Sequence, residues 1–288
     1  MIPPAFEYHR PEDLGAALAL LTEHGDAARV IAGGHSLVPM MKLRMAEIDH
    51  LIDLQGVAAL RGVEIGERVR IGAMVTQQEI LTDRALAAAA PMLAEAAAQI
   101  ADPQVRAMGT LGGNVANGDP GNDMPAVMLC LGADFHLSGP GGERTVAARA
   151  FYEAAYVTAR EEDEILTAVS FPRPAGGHAY EKQKRKIGDY ATAAAAVQIA
   201  SDGGRVTAAS VAMTNLSDVP VWSEAAGAAL VGSGCEAAAV EAAVAAMQAD
   251  IDPMPDNRGP VEFKRHVAGV ILRRAIARAW SRAQGGTA

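Results

Sequence analysis

The chain has 288 residues, half of them apolar and a fifth charged, with a net charge of −9. This is the balance of an acidic globular protein long enough for two domains, and it excludes disorder and general nucleic-acid binding. Its two cysteines, Cys130 and Cys235, lie far apart in apolar or Ala-rich settings, so neither a disulfide framework nor a cysteine-ligated metal cluster can be built within the chain.

No apolar run approaches a bilayer span, and Met1 to Pro4 lacks the charged start and apolar core of a signal peptide. The cytoplasm is the expected compartment, and a partner would bring the chain to any membrane it meets. Pro11 to His24 predicts an amphipathic helix, with proline in its first turn, Leu14, Leu18 and Leu21 on one face, and Gly25 at the C-terminal cap. Arg29 to Ala32 reads as a strand that stops at Gly33-Gly34, and His35-Ser36 open a segment of helix formers. His50 to Leu54 and Val69 to Ala73 are the next strands, and Thr76 to Glu79 fits a capping box. Ala85 to Ala101 is Ala-rich enough to predict one helix, ended by Asp102-Pro103. Asp123 is placed to cap a helix over Met124 to Leu131, with Pro125 in its first turn. Ala133 to Ser138 and Glu143 to Val146 flank Gly139 to Gly142, which reads as a hairpin.

Glu164 to Phe171 predicts a strand ending at Pro172 to Gly177, the clearest linker and the expected domain boundary. Beyond it, Tyr180 to Ile187, Ala191 to Ala200 and Arg205 to Asn215 read as three successive strands with a turn at Asp202 to Gly204, which implies an antiparallel sheet. Ser223 to Leu230, Cys235 to Gln248 and Val261 to Arg282 predict helices, the last with an apolar stripe of Phe263, Val267, Val270 and Ile271.

The chemistry concentrates in two glycine pairs. Gly33-Gly34, between a strand and a helix, lets backbone amides crowd against a ligand, and successive N–H groups in such a turn make an anion-binding concavity. Gly112-Gly113 repeats the pattern within Gly109 to Asp123, as though two hands held one long phosphate-bearing cofactor. His35 is read as ordering its loop by a side-chain hydrogen bond in preference to a catalytic role. Lys182, Lys184, Arg185 and Lys186 form the densest basic run, ordinarily a solvated strand face. Val231 to Ala237 matches a dinucleotide glycine pattern but follows a helix-like segment, so it is set aside. No HExxH, CxxC, P-loop or GxSxG occurs; catalytic and metal-ligating residues are none.

The stretches AGGHSLVPMMKLR (Ala32 to Arg44) and TLGGNVANGDPGNDMPAVMLCLGAD (Thr110 to Asp134) resemble the FAD-binding medium, or flavoprotein, subunit of the carbon monoxide dehydrogenase and xanthine dehydrogenase family of molybdenum hydroxylases, over essentially the whole chain. The resemblance implies an α+β fold. Residues 1–175 would form a two-lobed FAD-binding domain of the PCMH or vanillyl-alcohol-oxidase type, with lobes near 1–55 and 56–175. Residues 176–288 would form a smaller domain of antiparallel sheet and helices. It also implies one non-covalent FAD, its pyrophosphate on amides of Ala32 to Ser36 and Thr110 to Asn114. The implied cofactor-binding set is Ile31, Ala32, Gly33, Gly34, His35, Ser36, Leu37, Ile100, Thr110, Leu111, Gly112, Gly113, Asn114, Asp123, Leu166, Lys182 and Tyr190. Of these, Asp123 would meet sugar or ribityl hydroxyls, Lys182 would lie beside the flavin, and Tyr190 against its ring.

The partners it implies are a small iron–sulfur subunit with two two-iron two-sulfur clusters and a large subunit with the molybdenum cofactor, assembled as a dimer of heterotrimers. In that setting this chain passes electrons from the iron–sulfur subunit to an external acceptor and does not turn over substrate alone. Its docking surface is expected at the glycine loops and Ile100 to Arg106. The alternatives are a free-standing FAD-dependent oxidase of the same fold and a flavin-binding module with a regulatory or scaffolding role.

Overall fold

The computed structural model describes residues 2–286. β1 (Glu7–His9), α1 (Leu14–His24), β2 (Ala28–Ile31), α2 (Leu37–Lys42) and β3 (His50–Asp53) form a first lobe, a parallel sheet ordered β1-β3-β2. α1 starts later than predicted, because the Asp13 carboxylate accepts from the Ala16 N–H at 2.7 Å and sets the cap there, leaving Pro11 outside. Gly25 closes it at the expected C-terminal cap, with a positive φ of 51° that glycine adopts without a Cβ clash.

The second lobe opens with β4 (Val63–Ile65), a strand without a clear sequence signal, and β5 (Arg68–Gly72). The Thr76 capping box forms in full and starts α3 (Gln77–Thr82). The single helix expected over Ala85 to Ala101 is two, α4 (Arg84–Ala89) and α5 (Pro91–Gln99), since Pro91 has no N–H to continue the first and suits the start of the second. Asp102-Pro103 does end α5, but it also opens α6 (Pro103–Met108), the Asp102 carboxylate accepting from the Val105 N–H at 2.9 Å. Then come α7 (Leu111–Ala116), α8 (Met124–Leu131), the hairpin β6 (Asp134–Gly139) and β7 (Gly142–Ala147), the small pair β8 (Tyr152–Ala154) and β9 (Val157–Thr158), and β10 (Ile165–Pro172). The antiparallel sheet runs β4-β5-β10-β6-β7.

A third sheet follows, β11 (Gly177–Gln183), β12 (Ala193–Asp202), β13 (Arg205–Thr214) and β14 (Val221–Trp222), antiparallel as expected. Helices α9 (Glu224–Leu230), α10 (Ala237–Asp250) and α11 (Val261–Ala283) complete the chain. The alanines of β12 record burial on both faces. Ala194 and Ala196 join the core that contains α8, while Ala193 and Ala195 join the core that contains α11. α8 is buried at every position, the signature of a helix apolar all round, and it packs on β12 and β13. On the other face, α11 approaches so closely that a Cβ at Gly177 would stand 1.9 Å from the Ala279 carbonyl oxygen. The stripe expected on α11 shifts accordingly: Val267 and Ile271 are buried, with Ala268, Leu272, Ala275, Ile276 and Ala279, whereas Phe263 is exposed.

Candidate functional site

A cavity of about 450 Å³, within the usual range for small-molecule sites, is lined by all three parts of the chain. Its walls include Ile31 to Leu37 from the β2–α2 loop, Ile100 and Thr110 to Asn114 except Leu111, Asp123 and Leu166, and Lys182 and Tyr190 from the third sheet and its loop.

The β2–α2 loop is the phosphate-like end. Gly34 takes φ 75°, and the N–H groups of Gly33, Gly34, His35 and Ser36 have no hydrogen-bond partner among the described residues. Four successive free donors ahead of a helix form a concavity suited to negative oxygen. Gly33 is required for a second reason: a Cβ there would lie 2.3 Å from the Met108 carbonyl oxygen and 2.7 Å from the Gly109 Cα. The two glycine motifs thus touch backbone to backbone. His35 is exposed and makes no side-chain hydrogen bond among the described residues, so the loop is ordered without it.

The second motif works differently from expectation. Thr110 caps α7 through its Oγ1, which accepts from Gly113, and the glycines sit inside that helix. The Leu111, Gly112 and Asn114 amides donate to Val75, Ala73 and Thr110 carbonyls at 2.8, 2.8 and 3.0 Å. Amides already engaged are poor phosphate donors, so this motif offers a close backbone surface. Gly112 lets α7 pack closely on Ala73, since a Cβ there would stand 2.5 Å from that of Ala73. Leu111 is fully buried in the core and does not reach the cavity.

Asp123 heads α8, yet its side chain does not cap it. The cap is supplied by Asn114, whose Oδ1 accepts from the Met124 N–H at 3.2 Å. Both Asp123 oxygens turn to the third sheet: the Tyr180 hydroxyl donates to Oδ1, and Lys182 Nζ sits 2.8 Å from Oδ2. Of the two readings of the basic run, the ordinary solvated face does not hold at Lys182, whose side chain is 1% exposed and also donates to the Gln99 carbonyl. Burial pushes the Asp123 carboxyl up and the Lys182 ammonium pulls it back. A paired ammonium delivers less net field than a lone one, so the pair fixes polar atoms at the wall more than it supplies bare charge.

Tyr190 lies in a loop before β12, not in a strand. Its ring packs on Gly121, where a Cβ would come within 2.8 Å, and the Arg258 guanidinium sits 5.7 Å from its centroid. Burial and the Asp119 carboxylate push its phenol up to about 12. Sequence reasoning missed Gln77, Arg29, Arg160, Asn122 and Asp189, which also line the cavity. Gln77 is the informative one: it is 2% exposed, its Nε2 donates to the Thr110 carbonyl at 3.3 Å, and its Oε1 is buried with no partner. An orphaned polar atom on the wall, free amides at the glycine loop and a contact surface kept bare of Cβ atoms fit a long polar ligand with a phosphate centre. Arg160 could have been suspected only from its charge; its Nη1 donates to the Glu161, Glu162 and Glu164 carbonyls.

Residues 4–174 match the family described as the FAD binding domain in molybdopterin dehydrogenase, and residues 178–279 match the CO dehydrogenase flavoprotein C-terminal domain. The chain belongs to the flavoprotein subunits of the carbon monoxide dehydrogenase and xanthine dehydrogenase family. This flavoprotein subunit is 53% identical to the carbon monoxide dehydrogenase medium chain of Afipia carboxidovorans, over 99% of this chain and 100% of that one. It is 45% identical to the medium chain of Hydrogenophaga pseudoflava, over 98% and 99%. It also superposes on a chain of the cyanide-inactivated Cu,Mo-CO dehydrogenase with a TM-score of 0.97 and 53% identity, covering 98% of this chain and all of the other. As a flavoprotein subunit it is an FAD-binding part of an oxidoreductase. Within residues 2–286 no helix is long and apolar enough to cross a membrane.

Proposed function

We propose that this chain binds one FAD non-covalently in the cleft and serves as the electron-transfer subunit of a carbon monoxide dehydrogenase-type complex. The observation that carries this reading is the run of four unpaired amides at Gly33 to Ser36 in the same cavity as the buried Asp123–Lys182 pair. The Gly33 to Ser36 amides would hold the pyrophosphate, the Gly112-Gly113 backbone would let the cofactor lie flush against α7, and Gln77 Oε1 would accept a hydroxyl or N–H. Asp123 would accept from sugar or ribityl hydroxyls, a task that needs its carboxylate held in place by Tyr180 and Lys182. Ile31, Leu37, Ile100 and Leu166 would supply apolar wall, and Tyr190 would cover the ring. FAD, when bound, supplies redox chemistry that accepts electrons singly or in pairs.

Its partners in this reading are a small iron–sulfur subunit and a large molybdenum subunit, in a dimer of heterotrimers outside the membrane interior, with an external acceptor. Apolar side chains are exposed beside the cleft at Met108, whose backbone touches Gly33, and at Ile187, next to the Gly188 that abuts Ala101. Such exposure suits a docking face. Carbon monoxide as the substrate of the complex rests on the high identity to two carbon monoxide dehydrogenase medium chains. Co-expression with the two partners is expected to give a yellow complex in which carbon monoxide bleaches the flavin absorbance, while the isolated yellow chain stays oxidised with carbon monoxide, purines, N-heterocycles and aldehydes. Reduction by any of these in the isolated chain would overturn the subunit reading in favour of a free-standing oxidase.

A further inference from the structure

Three histidines meet at one end of the first lobe, away from any role assigned above. His9 closes β1, His24 is the last residue of α1, and His50 opens β3. One ring nitrogen of each lies within 4.8 Å of the other two. His9 Nε2 is 3.1 Å from His50 Nδ1, and Glu7, which pairs with His50 in the β1–β3 register, places Oε2 3.6 Å from the same nitrogen. A tetrahedral ion with bonds of about 2.0–2.1 Å separates its ligand atoms by about 3.3 Å. The two spacings at His50 are therefore close to the edges of one coordination tetrahedron. The His24 ring stacks on His50 with centroids 3.7 Å apart and planes within 3°, and its nitrogens make no hydrogen bond among the described residues.

We propose that His9, His24 and His50, with Glu7 as a fourth donor, form a site for a borderline divalent cation of the zinc class. Three imidazoles and a carboxylate are a donor set for Zn2+, Co2+, Ni2+ or Cu2+, and not for Mg2+ or Ca2+, which take oxygen. All three histidines are half-buried, so the ion loses part of its water shell and gains a protein cage. With the exposed Glu7 as fourth donor the coordination would be filled by protein groups, the pattern of a structural site. It ties the C-terminal end of α1 to the β1–β3 edge and so braces the sheet whose β2 delivers the Gly33-Gly34 loop. Coordination by all three rings would require the His24 ring to leave its stack on His50.

The test uses the full chain without a polyhistidine tag, loaded with flavin, stripped with a chelator and titrated with Zn2+ by calorimetry and with Co2+ by visible absorption. One Zn2+ per chain and a tetrahedral Co2+ spectrum are expected. His24→Gln and His50→Gln should each weaken Zn2+ binding by at least about tenfold, whereas His266→Gln, at an exposed histidine outside the cluster, should not. An unchanged flavin spectrum certifies that the variants fold. Absence of saturable one-to-one Zn2+ binding to the wild-type chain overturns the proposal, whatever the variants do, and so does binding that survives both cluster substitutions in folded protein.

Discussion

Replacing Gly33 by alanine adds a single methyl group at the seam between the two glycine motifs. That methyl carbon would begin 2.3 Å from the Met108 carbonyl oxygen and 2.8 Å from its carbon, against the 3.4 Å or more of an ordinary contact. Every atom in its way is backbone, so no rotamer relieves the clash and the two loops must part by about 1 Å. Overpacking of this kind costs about 1–3 kcal/mol in stability. The larger effect falls on the free amides of Gly33 to Ser36, because charge-assisted N–H bonds operate at about 2.7–2.9 Å and a shift of that size breaks them. Losing two such bonds, each worth about 1.5–3 kcal/mol, should weaken FAD binding by about 10²- to 10⁴-fold. The assay is quenching of flavin fluorescence on titrating acid-stripped protein. Gly141→Ala serves as the control, since a Cβ there meets nothing within 4 Å and the backbone needs no positive φ. If Gly33→Ala bound FAD within about threefold of wild type, the seam would not position the phosphate donors and the argument would fail.

Lys182→Met leaves the Asp123 carboxylate buried without its ammonium, and should cost about 3–5 kcal/mol in urea unfolding; Asp123→Asn in the same chain should recover part of that loss, and strictly additive effects would show the two are not coupled. Glu164 is held below the usual carboxylate range, chiefly by its bidentate hydrogen bonds from Arg144 at 2.6 and 2.7 Å. Its folded-state value is the lower one, so its contribution is present above the unfolded value of about 4.3 and is lost as pH falls through the folded value. Glu164→Gln should therefore lower stability by about 1.5–3 kcal/mol at pH 7 and by much less near pH 3, and an equal loss at both would refute the assignment. Burial pushes the Cys130 thiol up to about 12 and the Cys235 thiol up to about 11, so a thiolate-trapping reagent at pH 8 should label neither quickly in native protein and both at once in denaturant.

Elements whose cause is local were legible in the sequence. The Thr76 box, the Gly25 cap, the β6–β7 hairpin and the Gly203-Gly204 turn each depend on a few adjacent residues. What escaped depends on who lies opposite. Ala85 to Ala101 looks continuous until Pro91 is weighed as a start as well as a stop, and Asp102 ends one helix while capping the next. The two glycine pairs look alike in the chain, but only the first leaves its amides free, because the second has been drawn into α7, with Gly112 bonded to the Ala73 carbonyl and Gly113 to the Thr110 hydroxyl. Lys182 carries the signs of a surface strand, and only the fold reveals that Asp123 sits opposite it. The Gln77 orphan has no sequence signal beyond the capping box that contains it.

The cleft is walled by residues as early as Leu21 and as late as Tyr190, and the strand that brings Lys182 to Asp123 is clamped from behind by α11, the last element of the chain. On the ribosome the glycine loops emerge first and are ready long before the opposite wall exists, since chains grow at about 5–20 residues per second and fold from the N-terminus. Around 100 residues, from Lys182 to Ala283, must still follow before α11 can seat against β11. A nascent chain thus presents half a cradle that holds little, and cofactor loading becomes a receipt for completed synthesis: a truncated product that lacks α11 should leave the cell's translation machinery colourless.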